Sequence, residues 1–67
     1  MVESVTIVLP CRNEETRIEA CLDSLLRFTG LDEVQWEIWV FDGASEDGTA
    51  RIVQDYTAKE PRVLYFL

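Results

Sequence analysis

Apolar residues along the chain fall into short clusters whose spacing changes from one to the next. The first, Val5-Thr6-Ile7-Val8-Leu9, is a β-branched run that stops at Pro10, whose ring removes a backbone donor, and it predicts a buried strand over residues 5–9. Cys11, Arg12 and Asn13 then form a loop. Asn13 is placed to cap a helix, and Glu14 and Glu15 fall in the first turn, where the helix dipole favours acids. Ile18, Cys21, Leu22, Leu25 and Leu26 follow at offsets of 3, 4, 7 and 8, one face of a helix that runs to about Arg27, with Gly30 suited to its end.

Residues 36–41 are apolar on both parities, with Trp36, Ile38 and Val40 on one face and Trp39 and Phe41 on the other. That pattern predicts a second strand, covered on both faces. Asp42-Gly43-Ala44-Ser45 breaks the run, and Asp47 or Ser45 can cap a second helix to about Ala58, whose buried stripe is Ile52, Val53 and Tyr56. After Pro61, residues 63–67 form a third apolar run. Strand, helix, strand, helix, strand with short connections predicts an α/β fold: three parallel strands in spatial order 3-2-1 with two right-handed crossover helices, half of a doubly wound, Rossmann-like sheet. Half a sheet leaves an open strand edge and an uncovered apolar face, so the chain is expected to be truncated, or to have a partner over that edge.

Composition narrows the functional classes. A chain of 67 residues makes at most one domain, and at this size folding buries only about 60% of the unfolded surface. Thirteen acids against six bases give a net charge of −7, and no basic run occurs, which argues against nucleic acid or anionic membrane as a partner. With no histidine, the two cysteines, Cys11 and Cys21, match neither a zinc spacing nor a Cys-His nucleophile pair. They read as free thiols suited to a reducing compartment, and no apolar stretch is long enough to span a bilayer, so a cytoplasmic location is expected.

Ligands of open parallel sheets bind beyond the carboxyl ends of the strands. Two polar clusters fall there: residues 10–15 after the first strand and 42–49 after the second. Residues 10–15 hold no glycine, and no GxxxxGK[ST] occurs, which excludes a dinucleotide turn and a P-loop. Carboxylates at these ends can accept from ring N–H groups and ribose hydroxyls, but two acids beside a first helix repel bare phosphate. A bound nucleotide would therefore place its base and ribose here.

At these clusters the sequence resembles the opening of family 2 glycosyltransferases of the GT-A fold. The resemblance rests on Val8-Leu9-Pro10-Cys11-Arg12-Asn13-Glu14-Glu15, on Ile18-Glu19-Ala20-Cys21-Leu22-Asp23-Ser24-Leu25-Leu26, and on Asp42-Gly43-Ala44-Ser45-Glu46-Asp47-Gly48-Thr49. In that family the loops usually read Pro-x-Tyr-Asn-Glu and Asp-Asp-Gly-Ser-x-Asp-Gly-Thr, so Arg12 stands for the tyrosine and Gly43 for the second aspartate. These departures are similar to those of exopolysaccharide-assembly members. The resemblance implies that residues 1–67 are the N-terminal nucleotide-binding part of a GT-A domain. It implies that Pro10, Arg12 and Glu14 line the nucleotide pocket and that Asp42 accepts from base or ribose. It also implies a nucleotide-diphosphate sugar as donor, with UDP the commonest, and a saccharide or lipid-linked acceptor.

Plainer roles stay open for the same residues: Pro10 as a strand end, Arg12 as a solvated charge, Glu14 as a dipole partner and Asp42 as a turn former. Ser45, Asp47, Gly48 and Thr49 read as turn and cap, and Cys11 as inert. The transfer in that family needs an Asp-x-Asp motif for Mg²⁺ or Mn²⁺ and a later carboxylate base; the chain holds no Asp-x-Asp triplet, so metal and base are expected only in a full-length parent. The alternative is a non-catalytic α/β binding module, such as a homodimer paired through its open sheet edge. A nucleotidyltransferase of related fold is weaker, because residues 10–15 lack its glycine-rich, basic loop.

Overall fold

A computed structural model describes residues 4–29 and 35–67. Five elements alternate: β1 (Ser4–Cys11), α1 (Ile18–Thr29), β2 (Gln35–Asp42), α2 (Thr49–Lys59) and β3 (Val63–Phe66). The three strands form one parallel sheet in the order β1-β2-β3, the expected arrangement with β2 at the centre. In its register Cys11 lies beside Asp42 and Tyr65 beside Val40.

Alternation along β2 decides where the core lies. Trp36, Ile38 and Val40 point to one face, where Ile18 and Leu22 of α1, Val53 of α2 and Val63 of β3 close over them. Full burial of side chains such as Leu22, Ile38 and Val53 contributes roughly 1.5–3 kcal/mol each. Both helices contribute to this one core. The expectation that β2 is covered on both faces is therefore wrong: on the other side Phe41 is 40% and Val8 57% exposed. The physical reason is topological, since strands in serial order joined by crossovers of one hand place both helices on the same face. The uncovered apolar face expected for half a sheet is present, and Trp39, Phe41 and Phe66 cluster on it, with the Phe41 and Phe66 rings stacked at 5.0 Å.

Two boundaries also differ from expectation. β1 continues through Pro10 to Cys11. The Cys11 carbonyl accepts from the Gly43 N–H on the β2 side, so Pro10, one residue earlier, turns its backbone to the open edge, where a missing donor costs no ladder bond. Regular helix in α1 begins at Ile18, after a turn in which the Glu14 carbonyl accepts from the N–H groups of Arg17 and Ile18. Asn13 does not cap it, because Asn13 is left-handed (φ 51°) and its side chain is engaged elsewhere. The expected end at Gly30 lies outside the described residues.

Candidate functional site

The loops that leave β1 and β2 are tied together side chain to backbone. The amides of residues 13–15, in the loop and turn that lead into α1, are not paired within their own loop. Each finds its acceptor in the second loop instead: Asn13 N–H donates to Ser45 Oγ (2.8 Å), Glu14 N–H to Thr49 Oγ1 (2.8 Å) and Glu15 N–H to Asp47 Oδ2 (3.2 Å). Two bonds return the other way, from Glu46 N–H to Asn13 Oδ1 (2.8 Å) and from Gly48 N–H to Glu15 Oε2 (2.8 Å). The two loops thus form one rigid unit at the carboxyl edge of the sheet.

Two carboxylate-hydroxyl pairs stiffen it. The Ser45 hydroxyl accepts from Asn13 and donates to Asp42 Oδ1 at 2.5 Å; the Thr49 hydroxyl accepts from Glu14 and donates to Asp47 Oδ1. Asp47 also accepts from Thr49 N–H at 3.0 Å, but the N-cap of α2 is Gly48, which has no side chain to cap with, so neither Asp47 nor Ser45 holds the cap position expected of it; Ser45 serves Asp42 and Asn13. Hydrogen bonding from Thr49, above all from its side chain, holds the Asp47 carboxyl below its ordinary range.

Asp42 is the most enclosed charged group of the site, at 5% exposure, and Thr49 of the same site is fully buried. Ser45 N–H (2.9 Å) and the Ser45 hydroxyl both donate to its Oδ1, and the Tyr65 hydroxyl donates to its Oδ2 at 2.6 Å. Burial pushes the Asp42 carboxyl up, but the donors from Ser45 and Tyr65 outweigh it and hold the group below its ordinary value. A carboxylate offers about four lone-pair sites, of which the described residues take three and leave one on Oδ2. The same contact, with burial, pushes the Tyr65 phenol up to about 12. Cys11, beside Asp42, is pushed up by burial and then by the negative charge of Asp42, so its thiol stays protonated at neutral pH.

The structure separates the four residues singled out from the sequence. Pro10 and Glu14 line one groove of about 280 Å³ along the open side of β1, shared with Leu9, Cys11, Arg17, Ile18 and Cys21. Arg12 and Asp42 do not line it. Arg12 is exposed and lies against Gly43, where an added Cβ would stand 3.6 Å from Arg12 Cβ. The two positions that depart from the usual pattern of the resembled family therefore face each other. Sequence reasoning missed the cross-loop roles of Asn13, Glu15, Ser45 and Thr49, and missed Tyr65 altogether. The signal for Tyr65 was register: paired with Val40 on a parallel strand, it shares a face with Asp42 two residues on.

Among the described residues no group of three or more His, Cys, Asp or Glu is arranged to hold a metal ion. Asp42 and Asp47 each spend three of about four lone-pair sites on Ser45, Tyr65, Thr49 and Glu15. Nor, among those residues, is any helix long and apolar enough to cross a membrane.

Residues 6–67 match the profile of Glycosyl transferase family 2. The succinoglycan biosynthesis protein ExoA of Rhizobium meliloti is 37% identical over 62 residues, 92% of this chain and 18% of that protein. EpsJ of Bacillus subtilis, an uncharacterized glycosyltransferase, is 36% identical over 63 residues, covering 94% and 17%. The dolichyl-phosphate beta-glucosyltransferase ALG5C of Trichomonas vaginalis is 38% identical over 63 residues, covering 87% and 19%. No solved structure matches the chain. It spans less than a fifth of the length of these relatives, yet the matched profile takes in both loops and all three strands, and on that ground the chain belongs to glycosyl transferase family 2.

Proposed function

We propose that this chain is the nucleotide-binding segment of a glycosyltransferase that moves a sugar from a nucleotide-diphosphate donor, UDP-linked by preference, to a saccharide or lipid-linked acceptor. The observation that carries the reading is the loop pair. Five cross-loop hydrogen bonds fix two strand ends against each other, so little ordering cost remains when a ligand binds. Asp42 keeps one acceptor site for a base N–H or ribose hydroxyl, Arg12 is free to stack on the base or meet a phosphate, and Pro10 and Glu14 wall the adjoining groove. The names of the relatives, one in succinoglycan biosynthesis and one a dolichyl-phosphate glucosyltransferase, support saccharide and lipid-linked acceptors. On this reading, Mg²⁺ or Mn²⁺ and the base come from residues beyond these 67, which also cover the open sheet face. Free Cys11 and Cys21 support a cytoplasmic setting.

Calorimetric titration of the chain with UDP, ADP and GDP, with and without Mn²⁺, tests the proposal. Saturable UDP binding that weakens about tenfold in Arg12→Ala is expected, the loss of one charge-assisted contact. Failure of all three nucleotides to bind would overturn it. The aromatic cluster on the open sheet face, exposed at Phe41 and Phe66 and half-buried at Trp39, favours a second reading, a module that self-associates through its sheet. A well-behaved dimer with no nucleotide affinity in sedimentation would select that reading.

A further inference from the structure

We propose that Tyr65 is a positioning residue of the nucleotide site: from β3 it holds the Asp42 carboxylate in the orientation that leaves one Oδ2 lone pair free for a donor group of the nucleotide. The inference rests on the nucleotide-binding reading above. Its basis is the distribution of donors around Asp42. Both Ser45 donors converge on Oδ1, which leaves the carboxylate free to swing about that oxygen, and the terminal torsion of an aspartate is broad and nearly two-fold. Among the described residues only Tyr65 donates to the other oxygen, Oδ2, at 2.6 Å, and it does so from a different strand. Three donors from two directions define a plane.

The hydroxyl is also separable from the packing. The ring of Tyr65 lies partly buried against the core, a role that phenylalanine would fill equally well. What phenylalanine lacks is the donor to Oδ2. Charged and titratable groups facing Asp42 are Tyr65 on β3, Cys11 on β1 and Asp47 in the second loop. The Cys11 thiol stays protonated through the acid range, so Asp47 alone among these neighbours titrates near Asp42.

The test combines Tyr65→Phe with site-resolved carboxyl ¹³C titration and UDP binding across pH. Tyr65→Phe is expected to raise the Asp42 midpoint without a matching shift at Asp47. UDP affinity at pH 7 is expected to fall about three- to tenfold, the loss of one oriented hydrogen-bond acceptor, and the acid limb of the binding profile to move upward. Tyr56→Phe, which deletes a hydroxyl between the helices, should leave UDP affinity and the Asp42 midpoint unchanged. If the chain binds UDP and Tyr65→Phe binds it equally well with the same acid limb, the positioning role is overturned while the nucleotide reading stands. If the chain binds ADP or GDP in place of UDP, the same comparison is made with that nucleotide; if it binds none of the three, both readings fall, whatever happens to the Asp42 titration. The unmodified chain gives an independent check, because an Asp42 midpoint at or above that of an ordinary aspartate also overturns the proposal.

Discussion

Replacing Ser45 with alanine removes one oxygen that serves both loops at once. Its hydroxyl donates to the Asp42 carboxylate and accepts from Asn13 N–H. The first bond is charge-assisted, a class that contributes roughly 1.5–3 kcal/mol. Asp42 is not stranded by the loss, since Ser45 N–H still reaches Oδ1 and Tyr65 still reaches Oδ2, which places the cost toward the lower end. Asn13 N–H is exposed and water replaces its acceptor, so that loss adds little. The sum is about 2 kcal/mol, a large part of the roughly 3–10 kcal/mol available to a domain of this size. For 60–100 residues, about 2 kcal/mol lowers the midpoint of thermal unfolding by roughly 8–16 °C.

The pH dependence of that cost has a definite sign. The folded Asp42 carboxyl is held below its ordinary value, so its stabilising contribution is present above the unfolded pKa of about 3.9 and is lost as pH falls through the lower folded value. Ser45→Ala weakens the depression, so the gap between the two proteins should narrow as pH drops below about 4. Urea unfolding followed by circular dichroism at pH 7, 5 and 3.5 measures it. A gap below about 0.5 kcal/mol at pH 7 would refute the reasoning, since that is the size of an ordinary surface change. So would a gap that stays constant into acid.

Other outcomes follow from the same geometry. Tyr56 donates to Asp23 Oδ1 at 2.6 Å between α2 and α1, so Tyr56→Phe should cost about 1 kcal/mol in urea unfolding. Burial and the bond to Asp23 push the Tyr56 phenol up to about 12, and the bond to Asp42 does the same for Tyr65. Both folded values lie above the unfolded one, so stability present below about pH 10 should fall as pH rises toward 12, with phenolate absorbance appearing late. Gly43→Asp should fold normally, because its Cβ meets Arg12 at ordinary contact distance; a salt-sensitive pair with Arg12 should change stability by less than about 1 kcal/mol and lower UDP affinity in titration. Phe41→Lys with Phe66→Lys breaks a stacked pair on the open face, and should cut ANS fluorescence and self-association while costing less than about 1.5 kcal/mol.

Much of the fold was legible because the periods are clean. Ile18, Leu22 and Val53 are buried as the helical stripes required, and Trp36, Ile38 and Val40 share the core face as alternation required. The serial strand order followed from short connections. Coverage of Trp39 and Phe41 was misread because an apolar run on both parities reports what a strand can bury, and the packing partner is a property of chain outside the strand. Pro10 was read as an end because sequence does not show which side of an edge strand its nitrogen faces. The two loops lie at the strand ends where the pattern places them, but Asn13 was read as a local cap. Local chemistry allowed that role equally well, and the choice between it and a bond to Glu46, 33 residues away, is made only by the parallel pairing of β1 and β2. Tyr65 was invisible for the same reason, since its partner lies across a strand pair.

Amide ¹H–¹⁵N spectra of the chain, recorded while UDP is added, test the central claim most directly. Binding at the interlocked loops predicts saturable shifts concentrated in residues 11–15 and 42–49, with Arg12, Gly43 and Ser45 among the largest. Saturable shifts centred elsewhere, such as the open face around Trp39 and Phe66, or no shifts at all, would contradict it.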